Sequence, residues 1–108
     1  MKLLTQITLI IMVLGITLCG CRKPKYKACF TVDKTTANIG DTLTFTNCSD
    51  YDGESKFSLW SFGDGVKINT NGEESVTHVY LAEGEYEVNL LIGEKENSSR
   101  QSKRIIIL

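Results

Sequence analysis

Gly84-Glu85-Tyr86-Glu87-Val88-Asn89-Leu90-Leu91-Ile92 alternates residue by residue, with Tyr86, Val88 and Leu90 set against Glu85, Glu87 and Asn89. A period of two puts the first set on one face of an extended chain and the second on the other, as in a half-buried antiparallel strand. Working outward, the pattern recurs. Ser75-Val76-Thr77-His78-Val79-Tyr80 reads as the strand before it, and Phe57-Ser58-Leu59-Trp60-Ser61-Phe62 as an earlier one stopped by Gly63-Asp64-Gly65. Val66-Lys67-Ile68 is a short segment, followed by the turn-rich Asn69-Thr70-Asn71-Gly72. Residues 28–33 place Ala28, Phe30 and Val32 on one face, and residues 43–47 place Leu43 and Phe45 inward. On the C-terminal side Asn97-Ser98-Ser99 reads as a turn and residues 102–108 as the last strand. Short strands at regular turn spacing, with no segment of helical period, predict an all-β chain: an immunoglobulin-like β-sandwich of about seven antiparallel strands.

The first two strands also predict a register. If they pair about a turn centred near residues 38–39, Val32 lies opposite Phe45 and Cys29 opposite Cys48. An even pair of cysteines in a small exported domain reads as a disulfide. One histidine and two distant cysteines do not give zinc spacing.

Export is the reading of the N-terminus. Met1-Lys2 precedes an uncharged apolar run, residues 3–18, which is short for a membrane span of about 20 residues and has the form of a secretory signal. Leu18-Cys19-Gly20-Cys21 resembles the bacterial lipobox, which implies cleavage after Gly20 and lipidation of Cys21. Cleavage before Cys19 would put bulky Leu18 at the position that takes a small residue. The chain then divides into a signal peptide (1–20), a basic tether (21–27) and a domain (28–108). The tether carries four positive charges, whereas the domain has seven Lys and Arg against thirteen Asp and Glu. That split favours a domain held off an anionic membrane by a basic stalk. It argues against nucleic acid, which calls for a basic face. The basic residues after Cys21 differ from the acidic run resembling a surface-export signal in some lipoproteins. The expected location is therefore the cell envelope, outer membrane facing the periplasm, with surface display left open.

Three blocks in series carry a family resemblance: Trp60-Ser61-Phe62-Gly63-Asp64-Gly65, His78-Val79-Tyr80, and Gly84-Glu85-Tyr86-Glu87-Val88. In order and spacing they resemble the PKD (polycystic kidney disease) domain family, over essentially residues 28–108. The resemblance implies structural parts: Trp60 between two sheets, Gly63-Asp64-Gly65 in a tight turn, and Tyr86 as a hydroxyl bonding back to the backbone. It also implies a spacer or interaction module rather than a catalyst.

The remaining chemistry is sparse. His78, the single histidine, has no nucleophile to orient and reads as a structural hydrogen-bonding group. Asp64 reads as a turn residue bonding the local backbone. Asp50-Tyr51-Asp52-Gly53-Glu54 groups oxygen ligands that could hold calcium, without EF-hand spacing, so a solvated acidic loop is the plainer reading. The same loop, residues 49–56 with Tyr51, is the expected contact surface. No cofactor and no enzymatic activity are expected. The expected function is a membrane-anchored, non-enzymatic binding or adhesion module for a protein or glycan, with docking into a cell-envelope complex as the alternative.

Overall fold

A computed structural model describes residues 25–52, 55–72, 75–94 and 97–108; the lipobox, Cys21 and Glu54 lie outside the described residues. Ten strands occupy these segments: β1 (Tyr26–Lys27), β2 (Phe30–Val32), β3 (Thr36–Ala37), β4 (Thr42–Asn47), β5 (Asp50–Tyr51), β6 (Phe57–Ser61), β7 (Lys67–Asn71), β8 (Ser75–Val79), β9 (Gly84–Glu94) and β10 (Asn97–Ile107). A three-stranded sheet, β2-β4-β8, packs on a five-stranded sheet, β3-β10-β9-β6-β7, and β1-β5 forms a small ribbon. The sandwich is all-β, as the alternation requires.

Between the sheets sits an aromatic core. Trp60, Phe45 and Phe62 are fully buried and Phe30 nearly so. Phe30 meets the Trp60 ring edge-on at 5.3 Å, and Phe45 lies 5.3 Å from Phe62. Val88, Leu90, Ile92 and Ile105 fill the five-stranded side. Fully burying side chains of this size is worth roughly 1.5–3 kcal/mol each, so this cluster supplies most of the drive to fold.

The predicted register holds, but the connection does not. Val32 pairs with Phe45 in the β2–β4 ladder, and one step further out Cys29 and Cys48 form a disulfide with Cα atoms 4.8 Å apart. Instead of a simple turn near residues 38–39, the chain leaves this sheet after β2. It crosses to the other sheet, where β3 runs parallel to the end of β10 (Ile106 opposite Thr36), and then returns as β4. Crossing puts Ala37 into the core and adds an edge strand that a two-residue segment could not announce.

Two stretches expected as turns are strands. Asn69, Thr70 and Asn71 pair with Leu59, Ser58 and Phe57. Asn97, Ser98 and Ser99 open β10, opposite Glu94, Gly93 and Ile92. In both cases a partner strand, β6 or β9, supplies the hydrogen bonds that override polar turn propensity.

The folded unit also begins earlier than residue 28. Tyr26 and Lys27 pair with Tyr51 and Asp50, and the Lys25 amide donates to Asp52 Oδ2 at 3.0 Å. The last part of the expected tether is therefore part of the domain. Side chains of β10 close this side of the sandwich: Ser99 Oγ accepts the Ala28 amide at 2.9 Å, and Gln101 Oε1 accepts the Phe30 amide at 2.6 Å. The edge of β2 is thus capped by side chains and is a poor template for an added strand.

Candidate functional site

The family-like blocks converge where the β6–β7 turn meets β8. Gly63 and Gly65 have φ of +85° and +94°, a region that side chains disfavour. At Gly63 the demand is also steric, because a Cβ would come within 2.8 Å of the Glu87 carbonyl oxygen. The turn so formed aims Asp64 at both the backbone and a ring. Its Oδ1 accepts the Val66 amide at 3.1 Å, and its Oδ2 lies 2.7 Å from His78 Nε2. The backbone bond is the one the sequence implies; the histidine is an additional partner on the other sheet. His78 also stacks on Phe62, with centroids 4.2 Å apart, and meets Tyr80 edge-on. These contacts make its ring a tie between the sheets.

Two tyrosines complete this region. Tyr80 is buried and donates to the Phe62 carbonyl at 2.7 Å. Burial, with the Asp64 carboxylate and Tyr86 beside it, pushes its phenol far above the ordinary value. Tyr86 stacks on Tyr80 and donates to the Ala82 carbonyl, four residues upstream, at 2.7 Å. That is the back-bonding expected of Tyr86, and it fixes the turn before β9. Gly84 opens β9 against the Tyr86 ring, and Val88 enters the core. These groups pin the fold.

The described residues of the 49–56 loop are more constrained than an open contact surface. The Tyr51 hydroxyl accepts from Asn47 Nδ2 at 2.7 Å and sits 2.6 Å from Ser58 Oγ, while Lys56 Nζ lies 5.0 Å above its ring. Asp50 lies in the β1–β5 ribbon and Asp52 accepts the Lys25 amide. Local pairing therefore uses much of what the loop would offer a partner. Among the described residues no group of three or more His, Cys, Asp or Glu side chains could hold a metal ion.

A different surface stands open. On the outer face of the five-stranded sheet, Phe57 and Leu59 of β6 project beside Leu91 of β9, Leu59 directly opposite Leu91. Phe57 is 39% exposed. Asn71 pairs with Phe57, Asn69 with Leu59, and Arg100 with Leu91, which gives the apolar strip a rim of amide and guanidinium groups. Where β6 begins, a depression of about 330 Å³ is lined by Phe57, Leu91, Ile92, Gly93, Glu94 and Ser98. Gly93, at φ +112°, permits the close passage of β10 there, since a Cβ would collide with the Asn97 carbonyl. Sequence reading overlooked this strip. Its signal was present in Phe57-Ser58-Leu59-Trp60 and Leu90-Leu91-Ile92, where apolar residues fall on both faces of a strand.

Comparison with known proteins agrees with this geometry. The PKD domain family matches residues 27–107. A microbial collagenase of Vibrio alginolyticus is 32% identical over 72 residues, which cover 65% of this chain but 8% of that enzyme. A solved structure of carbohydrate-binding modules of the β-sandwich superfamily superposes with a TM-score of 0.70 at 23% identity, over 81% of this chain and 36% of that one. The PKD1 domain of the Vibrio cholerae metalloprotease PrtV superposes with a TM-score of 0.58 at 23% identity, over 77% of this chain and 96% of that domain. The chain thus spans under a tenth of the collagenase, and the likeness to the solved structures is one of fold. With the matched blocks placed as the sandwich's inter-sheet ties, the chain belongs to the PKD domain family.

Proposed function

We propose that this chain is a non-enzymatic, extracytoplasmic binding module that contacts a protein or glycan through the outer face of its five-stranded sheet. One observation carries the reading: the half-exposed strip Phe57–Leu59–Leu91, with its depression and its rim of Asn69, Asn71 and Arg100. An aromatic and two leucines framed by hydrogen-bonding groups suit a ligand with apolar faces and polar edges. One similar protein is named a collagenase and one similar structure a carbohydrate-binding module, which supports a protein or glycan ligand.

Attachment to a membrane through lipidated Cys21 is part of the proposal. Three residues separate Cys21 from Lys25, the first described residue, a span of at most about 14 Å when extended. Such a module works close to its membrane. The test has two arms. Cys21→Ser is expected to release the protein from the membrane fraction while leaving it folded. Binding to immobilised neutral polysaccharides and to collagen is expected to fall about tenfold or more in Phe57→Ser and Leu91→Ser. Undiminished binding in both variants would remove the strip from the proposal.

A further inference from the structure

Large apolar side chains left in water on a small domain mark contact surfaces when they are contiguous. Among the described residues, Phe57 belongs to the strip above, Val66 stands in the β6–β7 turn, and four others gather at the end of the sandwich opposite Phe57. Leu81 is 84% exposed, Leu108 65%, Ile39 50% and Ile106 38%. They come from three separate stretches of chain that the backbone laces together. The Ile39 amide donates to the Leu108 carbonyl at 3.3 Å, and the Leu108 amide to Ala37 at 2.9 Å. The Gly40 amide donates to Tyr80 at 3.1 Å, which places Leu81 beside the 39–40 turn. The turn that carries Leu81 is fixed from its other side by the Tyr86–Ala82 bond.

The turns that carry Ile39 and Leu81 are thus held by hydrogen bonds on both sides. A rigid backbone presents aliphatic side chains that the core does not use, so a partner would pay little ordering entropy.

The surroundings narrow the partner. Asp41 follows the 39–40 turn and accepts the Asn38 amide, Glu83 lies two residues beyond Leu81, and Glu85 stands opposite Ile106 with Arg104 3.9 Å away. Asp33, which accepts the Thr44 amide, and exposed Lys34 lie just before the crossing to β3. An aliphatic centre in an acidic rim disfavours an anionic lipid surface, which the carboxylates would repel. A second copy docked about a two-fold axis would bring the same acidic rims together. A glycan is poorly served, because the exposed residues here are aliphatic and offer no ring face to stack on a sugar. Charge complementarity favours the opposite pattern on the partner.

We propose that the cap formed by Ile39, Leu81 and Leu108 is a docking surface for a protein segment that presents apolar side chains within a ring of Lys or Arg. It is separate from the Phe57 strip and independent of the lipid anchor.

The experiment uses the full chain in detergent, isotopically labelled, and two synthetic peptides of equal length. One alternates Leu with Lys, the other Leu with Glu. The basic peptide is expected to shift the amides of residues 39–41, 81–83 and 106–108 and to leave 57 and 91–94 unmoved. The acidic peptide is expected to bind about tenfold more weakly. Leu81→Ser should weaken the basic peptide about tenfold with the rest of the spectrum unchanged. Glu83→Lys, which keeps the apolar cap, should also weaken it and reduce its dependence on salt. Equal binding of the two peptides, or shifts centred on Phe57, would overturn the proposal. So would self-association, or capture by anionic vesicles, that Leu81→Ser abolishes. Failure of the Phe57 reading would instead appear in the polymer-binding variants, with these amide shifts intact.

Discussion

The end of the sandwich where the chain enters at Lys25 and the end crowned by Leu81 are stabilised in different ways. At the first, the strands are short: β1 and β5 have two residues each and β2 three. Covalent and side-chain links compensate. The Cys29–Cys48 disulfide, Asp52 on the Lys25 amide, and Ser99 and Gln101 on the Ala28 and Phe30 amides hold the N-terminal segment to the body. At the second end the ties are aromatic and come from the family blocks: His78 with Asp64, Tyr80 on Phe62, Tyr86 on Ala82. Fixing that end from within leaves its outer surface with no structural task. Aliphatic residues can then stand in water without loosening the fold.

The sharpest way to break this comparison is at the disulfide. Its loop spans a sequence separation of 19, and in the chain-entropy account closing it contributes about 3 kcal/mol. Cys29→Ser with Cys48→Ser is expected to lose about that much in urea unfolding, with amide exchange accelerating first in residues 25–32 and 47–52. Equal acceleration around Tyr80 would show that the two ends are one cooperative unit.

Next comes the turn that aims Asp64. Gly63→Ala forces a side chain into positive φ and against the Glu87 carbonyl, and the expected cost is roughly 2–3 kcal/mol. Gly65 has similar φ but open space where a Cβ would sit, so Gly65→Ala should cost about 1 kcal/mol. Thermal unfolding of the two variants separates the steric part from the backbone part. Similar losses would mean that the approach to β9 relaxes freely.

Tyr80 gives a smaller effect with a defined pH dependence. Its phenol is held protonated by burial and by Asp64, so the folded state binds that proton more tightly than the unfolded chain, whose tyrosines titrate near 10. The resulting stability is fully present below about pH 10 and is lost as pH rises from there towards the folded value. Tyr80→Phe should remove this alkaline decline while losing about 1–2 kcal/mol at neutral pH through the orphaned Phe62 carbonyl. A variant with the same alkaline slope as the parent would assign the decline to another group.

How much of this the sequence could announce depends on the range of the interaction. Val32 opposite Phe45 was legible because alternation and the two cysteines agree on one register. Tyr86 was legible because the family block states its role. The excursion through β3 was not, since Thr36-Ala37 carries no period and its partner, Ile106-Ile107, lies at the other end of the chain. Asn69-Thr70-Asn71 misled for a related reason: its composition says turn, and only the neighbouring β6 makes it a strand. The His78–Asp64 tie fell between these cases. Both residues read as structural, but their meeting required knowing which strand edge faces the β6–β7 turn.

The smallest stability effect is expected at Leu81, and its smallness is what gives it value. A leucine 84% exposed contributes little burial to lose, so Leu81→Ser should change unfolding free energy by no more than about 0.5 kcal/mol. If the far end is held from within by His78, Tyr80 and Tyr86, the cap can be altered without cost to the fold. The same substitution should then separate binding from stability, with the basic peptide lost and the melting curve kept. A loss of 2 kcal/mol or more would instead mean that Leu81 packs within the domain, and the contrast between the two ends would fail at the point where it makes its strongest claim.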